Sequence, residues 1–182
     1  MRRLVIVAAA AALGVLAGCT GEGGGSAVRT PTASGRITVS SPAFTEGGTI
    51  PRRYTCDGAD LSPPLAFSGV PAHALGLVLL TEDNDAPHGP FTHWLAWDID
   101  PHTARLSAGQ APPGATQGRN SFGKTGYNGP CPPRGKPHHY VFTLYAADRR
   151  LGLTRDATTA DVKRALARHT LAVGSLTGHY GR

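Results

Sequence analysis

Charged residues are scarce in this chain, 16% of 182 positions, and that scarcity removes most of the material of a helical protein. No basic run is interleaved with aromatics, so nucleic-acid binding is not indicated. There is no Walker A loop, and no G-x-G-x-x-G follows a strand-like run, which leaves a nucleotide cradle without its signature. Ser62, Ser68 and Ser121 are available hydroxyls, but no G-x-S-x-G elbow activates one. Internal repeats are absent. The apolar run Leu4–Leu16 falls short of the roughly 20 residues that span a bilayer. Cysteine occurs three times, as Cys19, Cys56 and Cys131.

What is present divides the chain into three parts. Arg2 and Arg3 precede the apolar run, which closes on Leu16-Ala17-Gly18-Cys19. A basic start, a short apolar core and small residues before a cysteine read as a lipoprotein export signal over 1–18, with Cys19 as the lipidated residue. Residues 19–35 are rich in Gly, Ser and Thr and read as a flexible tether. Residues 36–182 have the length of one domain with a real core. Formal charge is +6; without Arg2 and Arg3, 16 basic side chains face 12 acidic ones and leave +4. That balance fits attraction to anionic lipid or cell-wall phosphate.

Gly and Pro number 24 and 15, which favours a β-rich, loop-rich domain. Residues 36–44 alternate as a first strand, 74–83 form a continuous apolar run ending in acids, and 93–100 follow as the next strand. Residues 101–137 hold seven of the prolines, an unusually long connection. Residues 138–148 are apolar on both faces, as in a central strand. One helix is expected, opened by a capping box of Thr158 and Asp161, with Val162, Ala165, Leu166 and His169 on its apolar stripe. Residues 171–182 form a last strand and tail. In an exported domain Cys56 and Cys131 are an even pair, read as a disulfide with two buried thiols as the alternative.

The stretch Thr81–Asp100 crowds acids and histidines. If 75–83 and 93–99 are antiparallel neighbours, Asp83 and His93 meet at one sheet edge. A carboxylate on one imidazole nitrogen fixes the tautomer and favours the charged ring. The other nitrogen can then donate to an anion. His138 also opens a strand, and Tyr140 lies on the same side two residues on. Glu82, His88 and His139 read as solvated, Asp85 as a turn residue and His169 as a core histidine. Two histidines and an aspartate are zinc-ligand types, but their spacing is not that of a metal site, and no cofactor is implied.

The fragments "YTCDGADLSPPL", "EDNDAP" with "HWLAWDI", and "GRNSFGKTGYNGPCPPRGKPHHYVFTLYAAD", in that order, resemble the phosphatidylethanolamine-binding protein family, in its bacterial Raf kinase inhibitor-like branch. The resemblance implies a mainly β fold, a sandwich of two antiparallel sheets with one or two short helices. It also implies a small pocket for phosphate-like groups. Carried over residue by residue, the pocket falls on Asp83, His93, Gly129, Pro130, His138 and Tyr140. Asn84 stands where the family has proline, Cys131 interrupts the proline run, and His139 replaces a common arginine.

The expectation is therefore an anchored, non-enzymatic binding protein on the outer face of the cell membrane. Its partners would be a phosphate-like or phospholipid head group and, through Cys19, the membrane. No protein partner can be named. Two rivals stand beside it: a secreted protease inhibitor or protein-interaction module working through the 110–137 loop, and a weak hydrolase using Asp83 and His93 as an acid/base dyad.

Overall fold

The structure, a computed structural model, describes residues 29–182. The expected signal, Cys19 and most of the tether lie outside the described residues. In chain order the elements are β1 (Gly35–Arg36), β2 (Thr38–Ser40), β3 (Gly48–Thr49), β4 (Leu65–Ser68), β5 (Gly76–Asp83), β6 (Phe91–Ile99), β7 (Arg105–Leu106), β8 (Thr116–Gln117), β9 (His138–Ala147), α1 (Thr159–Leu166) and β10 (Thr170–Tyr180).

Seven strands form one sheet in the order β1-β10-β9-β5-β6-β8, with β3 also on β10. Its long strands are antiparallel, whereas β1 and β3 add short parallel pairings. A second sheet, β2-β4-β7, is antiparallel. Among the described residues the result is the expected two-sheet sandwich with a single short α-helix.

The expected strand over 36–44 is split between the sheets. β1 pairs with β10 and β2 pairs with β4, so the chain crosses over at Ile37. The crossing is close: a Cβ on Gly174 would lie 1.8 Å from the Ile37 carbonyl oxygen, and only glycine fits there.

Both faces of the large sheet are buried, which explains the unbroken apolar runs in β5 and β9. Leu77, Leu79, Trp94, Phe142 and Leu144 face the small sheet, meeting Val39, Leu65, Phe67 and Leu106. Val78, Leu80, Leu95, Trp97 and Tyr145 face α1, which buries Val162 and Leu166 against them. Each such side chain contributes roughly 1.5–3 kcal/mol by leaving water.

The Thr158–Asp161 capping box forms in both directions. The helix is shorter than its pattern, however, because Arg168 takes φ 68°. His169 therefore falls beyond the helix and, partly exposed, pairs with Asp148 at 2.9 Å instead of entering the core. Glu82 is not solvated either: Lys163 Nζ donates to both its oxygens at 2.8 and 2.9 Å, tying α1 to β5.

Two β-bulges shape β6. Its register with β5 slips by one residue between Leu77 and Leu79 and again between Thr81 and Glu82. At the first, Asp98 takes φ 58° and its buried carboxylate accepts from the Leu151 and Gly152 amides at 2.6 and 3.0 Å. At the second, Thr92 pairs with Glu82 and Trp94 with Thr81, leaving His93 as the extra residue.

Cys56 and Cys131 form a disulfide, with Cα atoms 5.4 Å apart across 75 residues. It fastens the 52–58 turn to the 129–133 segment, and the Cys56 amide adds a bond to the Pro130 carbonyl at 3.1 Å. Oxidised protein is expected to show no free thiol at either position, and Cys56→Ala with Cys131→Ala to lose about 2–4 kcal/mol in urea unfolding. Thiol counting and denaturation midpoints check the two parts.

Candidate functional site

The site lies at the sheet end where β5 finishes and β9 begins. Register sets Asp83 directly opposite Tyr140 on β9 and Phe91 on β6. His138 precedes Tyr140 by two residues and so shares its face. The Asp83 carboxylate is 5% exposed and fully engaged. One oxygen accepts from the Asp85 amide at 2.9 Å, closing the turn after β5, and the other accepts from His138 Nδ1–H at 2.8 Å.

This differs from the expected pairing of Asp83 with His93. The bulge turns His93 toward the small-sheet side beside Tyr140, 5.1 Å between ring centres and edge-on. There its Nδ1 meets the Asn128 carbonyl at 2.7 Å. A carbonyl only accepts, so Nδ1 carries the hydrogen. The neutral ring then has a bare lone pair on Nε2. Burial pushes the His93 pKa below its ordinary value; the Asn128 carbonyl and the Asp83 charge pull against this without reversing it. His93 is therefore an acceptor near neutral pH, not the charged donor that pairing with Asp83 would make.

Asp83, His93 and His138 share a cavity of about 160 Å³. Ala86, Pro87, Phe91 and Phe122 form much of its wall. Cys131, Pro132 and Pro133 close the remaining side. Phe122, 42% exposed, stands at the mouth and meets Phe91 edge-on at 4.8 Å.

The other expected residues take different places. Tyr140 is fully buried and does not line the cavity. Its hydroxyl lies near the Asp83 carboxylate and the Cys131 amide but meets neither with hydrogen-bond geometry. Burial first, then the Asp83 charge, holds its pKa well above the ordinary value. Gly129 and Pro130 are also off the wall, although the Gly129 backbone reaches His93 and, like Asn128, favours a proton on its ring. The Gly129 amide donates to Asp60 at 2.6 Å and the Pro130 carbonyl accepts from Cys56. Gly129 is required by crowding, since a Cβ would sit 2.4 Å from the Tyr54 carbonyl oxygen. Pro132 and Pro133 are the prolines that reach the cavity.

Several residues that position the site carry no sequence signal of their own. Buried Asn120 accepts from the Phe122 and Lys124 amides at 3.0 and 3.1 Å, building the turn that presents Phe122. Its Nδ2 donates to Asn128 Oδ1 at 2.8 Å, and the Asn128 amide donates to the His93 carbonyl at 3.1 Å. Much of the long 101–137 connection is thus ordered against the edge of β6. Asp85 does more than turn the chain. Its carboxylate takes the His139 amide and Nδ1–H, both at 2.7 Å, and these bonds hold its pKa below the usual range. Among the described residues no group of three His, Cys, Asp or Glu is placed to hold a metal.

Two packed sheets with a small, largely apolar cavity at one sheet end define a β-sandwich binding domain. A family profile described as phosphatidylethanolamine-binding protein matches residues 40–181. The chain belongs to that family. It is 40% identical to a UPF0098 protein of Pyrococcus abyssi, over 100% of this chain and 99% of the relative. It is 36% identical to a Mycobacterium tuberculosis protein named as lipoprotein LppC, over 99% of this chain and 97% of that one. Among solved structures, a phosphatidylethanolamine-binding protein homologue, CT736 of Chlamydia trachomatis, superposes with TM-score 0.77 at 37% identity. That likeness covers 82% of this chain and 99% of the other. E. coli YbcL gives TM-score 0.76 at 30% identity, covering 81% and 99%.

The lowered His93 pKa has a consequence for stability. The unfolded chain takes up this proton near pH 6.5, before the folded one does. The contribution is therefore complete above about pH 6.5 and is lost as pH falls through the folded-state value. In urea unfolding at pH about 8 and about 5, the margin of the native chain over His93→Gln is expected to shrink at the lower pH. An equal margin at both would contradict the neutral, buried ring.

Proposed function

We propose that the protein is a lipid-anchored, extracytoplasmic binding protein whose pocket takes small phosphate-like oxyanions, free or as phospholipid head groups. The observation that carries this reading is the convergence of His93 and His138 on one small cavity, each held through Nδ1 so that Nε2 remains for a ligand. When His138 carries its second proton, Nε2–H is a charge-assisted donor backed by Asp83, a bond of roughly 1.5–3 kcal/mol. Aromatic and proline walls lower the local dielectric and strengthen it. Affinity from so few polar contacts lies in the millimolar to micromolar range, about −4 to −8 kcal/mol.

Binding is favoured over turnover because Cys131 is consumed in the disulfide and Asp83 is paired with His138 and not with His93, so the expected acid/base dyad does not form. Anchoring is supported by the basic start, apolar run and small residues before Cys19, and by full-length similarity to a relative named as a lipoprotein. The mild positive charge suits an anionic envelope.

Titration of the 29–182 domain with phosphate or phosphoethanolamine, followed by imidazole NMR, is expected to move the His93 and His138 signals together. Unchanged signals at saturating concentration would remove the pocket assignment. Separately, Cys19→Ser is expected to abolish fatty-acid labelling and release the chain from the membrane fraction; labelling that survives the substitution refutes the anchor.

A further inference from the structure

The polar inventory of the pocket is unusual for an anion site, because both ligand-facing histidines carry a hydrogen on Nδ1 and turn Nε2 to the cavity, and burial keeps His93 from gaining a second proton. His93 gives its only hydrogen to the Asn128 carbonyl. That carbonyl is held in place, since the Asn128 amide bonds back to the His93 carbonyl and its side chain is fixed by Asn120 and Asp60. The tautomer is thus set by backbone geometry that a ligand does not disturb. Asp83 is spent on Asp85 and His138, and its negative charge works against a doubly charged guest. The remaining wall is apolar, and a cavity of about 160 Å³ holds more than four oxygens around one phosphorus.

We propose that the pocket takes its oxyanion together with one proton. The ligand class is a singly ionised phosphoric monoester or phosphonic acid bearing a short apolar or aromatic group, whose P–OH donates to Nε2 of His93. This rests on the pocket reading above and narrows it. The ionised oxygen faces His138, and the carbon substituent packs on Phe91, Phe122 and Pro132. A diester, which has no P–OH near neutral pH, leaves Nε2 of His93 facing oxygen lone pairs. Asp83 on β5 and Asp60 on the 55–62 segment both favour a proton on the ring. Tyr140 on β9 holds its proton, and His138 shares the cavity. Burial opposes a charge on His93, so the shared proton is supplied with the guest.

The probe is phenylphosphonic acid, measured by calorimetry in buffers of different ionisation enthalpy, with methyl phenylphosphonate as the matched monoester lacking the second ionisation. Above the second ionisation, roughly pH 6 for such groups, binding is expected to take up at least one proton, and close to one in the His138→Gln variant. Affinity should fall about tenfold per pH unit, and the methyl compound should bind at least about tenfold more weakly. His138→Gln weakens binding but keeps the uptake, whereas His93→Gln loses it. Nitrogen NMR of the free protein should show His93 protonated on Nδ1, a readout independent of any ligand. Vesicles of phosphatidylcholine carrying phosphatidic acid, against vesicles carrying phosphatidylglycerol, separate a lipid-borne monoester from a free one. Retention on phosphatidic acid alone identifies the lipid source, and soluble binding without retention identifies the free one. Equal binding of phenylphosphonic acid and its methyl ester overturns the proposal. Binding of phenylphosphonic acid without proton uptake also overturns it and leaves the oxyanion pocket standing. No binding of that probe or phosphoethanolamine at any pH overturns both.

Discussion

The Asp83 carboxylate is the constraint on which the site end of the molecule depends. One oxygen closes the turn out of β5 and the other holds the first side chain of β9. A buried carboxylate with both oxygens satisfied is a stable cross-link, whereas the same group unpartnered would be costly. Everything around it follows. Asp85 is placed to take His139, His138 is oriented by a bond it cannot easily rotate away from, and Tyr140 is sealed beneath. His93, one strand over, owes its place to a different device, an extra residue in β6 and a carbonyl from a distant loop. Two histidines that look equivalent in the chain are thus held by different partners, a carboxylate for His138 and a backbone carbonyl for His93.

The fold supports this by burying both faces of the large sheet. Strands sandwiched between a second sheet and a helix have little freedom to slip, because a one-residue shift would turn each side chain to the wrong layer. The bulges are therefore fixed positions. The second one sits at the pocket, where an additional residue is what brings His93 beside Trp94 on the same side of the sheet.

Much of this was legible in the residues. Alternation and apolar runs located β5, β6, β9 and the last strand, and antiparallel adjacency alone gathered Asp83, His93 and His138 at one edge. The even cysteine pair pointed to the disulfide. What the residues hid has physical causes. A bulge leaves no mark on periodicity, so residue order alone pairs Asp83 with His93, its nearer neighbour along the chain, and not with His138. The Asn128 carbonyl is a backbone group and has no sequence signature. Glu82 and Lys163 are eighty-one residues apart, and nothing local says that α1 lies across β5. Gly129 and Pro130 matter to the wall from behind it, and Tyr140 from below, which a motif match does not distinguish from direct contact.

The place where the chain enters the sheet has a mechanical meaning. β1 pairs with β10 at Ala172 and Val173, while the pocket lies beyond the other end, where Tyr180 is opposite His138. Eight residues of strand, about 26 Å, separate the two. A pull on the leading segment would load the β1 ladder and spread into the body of the sheet before reaching Asp83. Handle and mouth are at opposite ends of one stiff strand, so tension on the first need not deform the second.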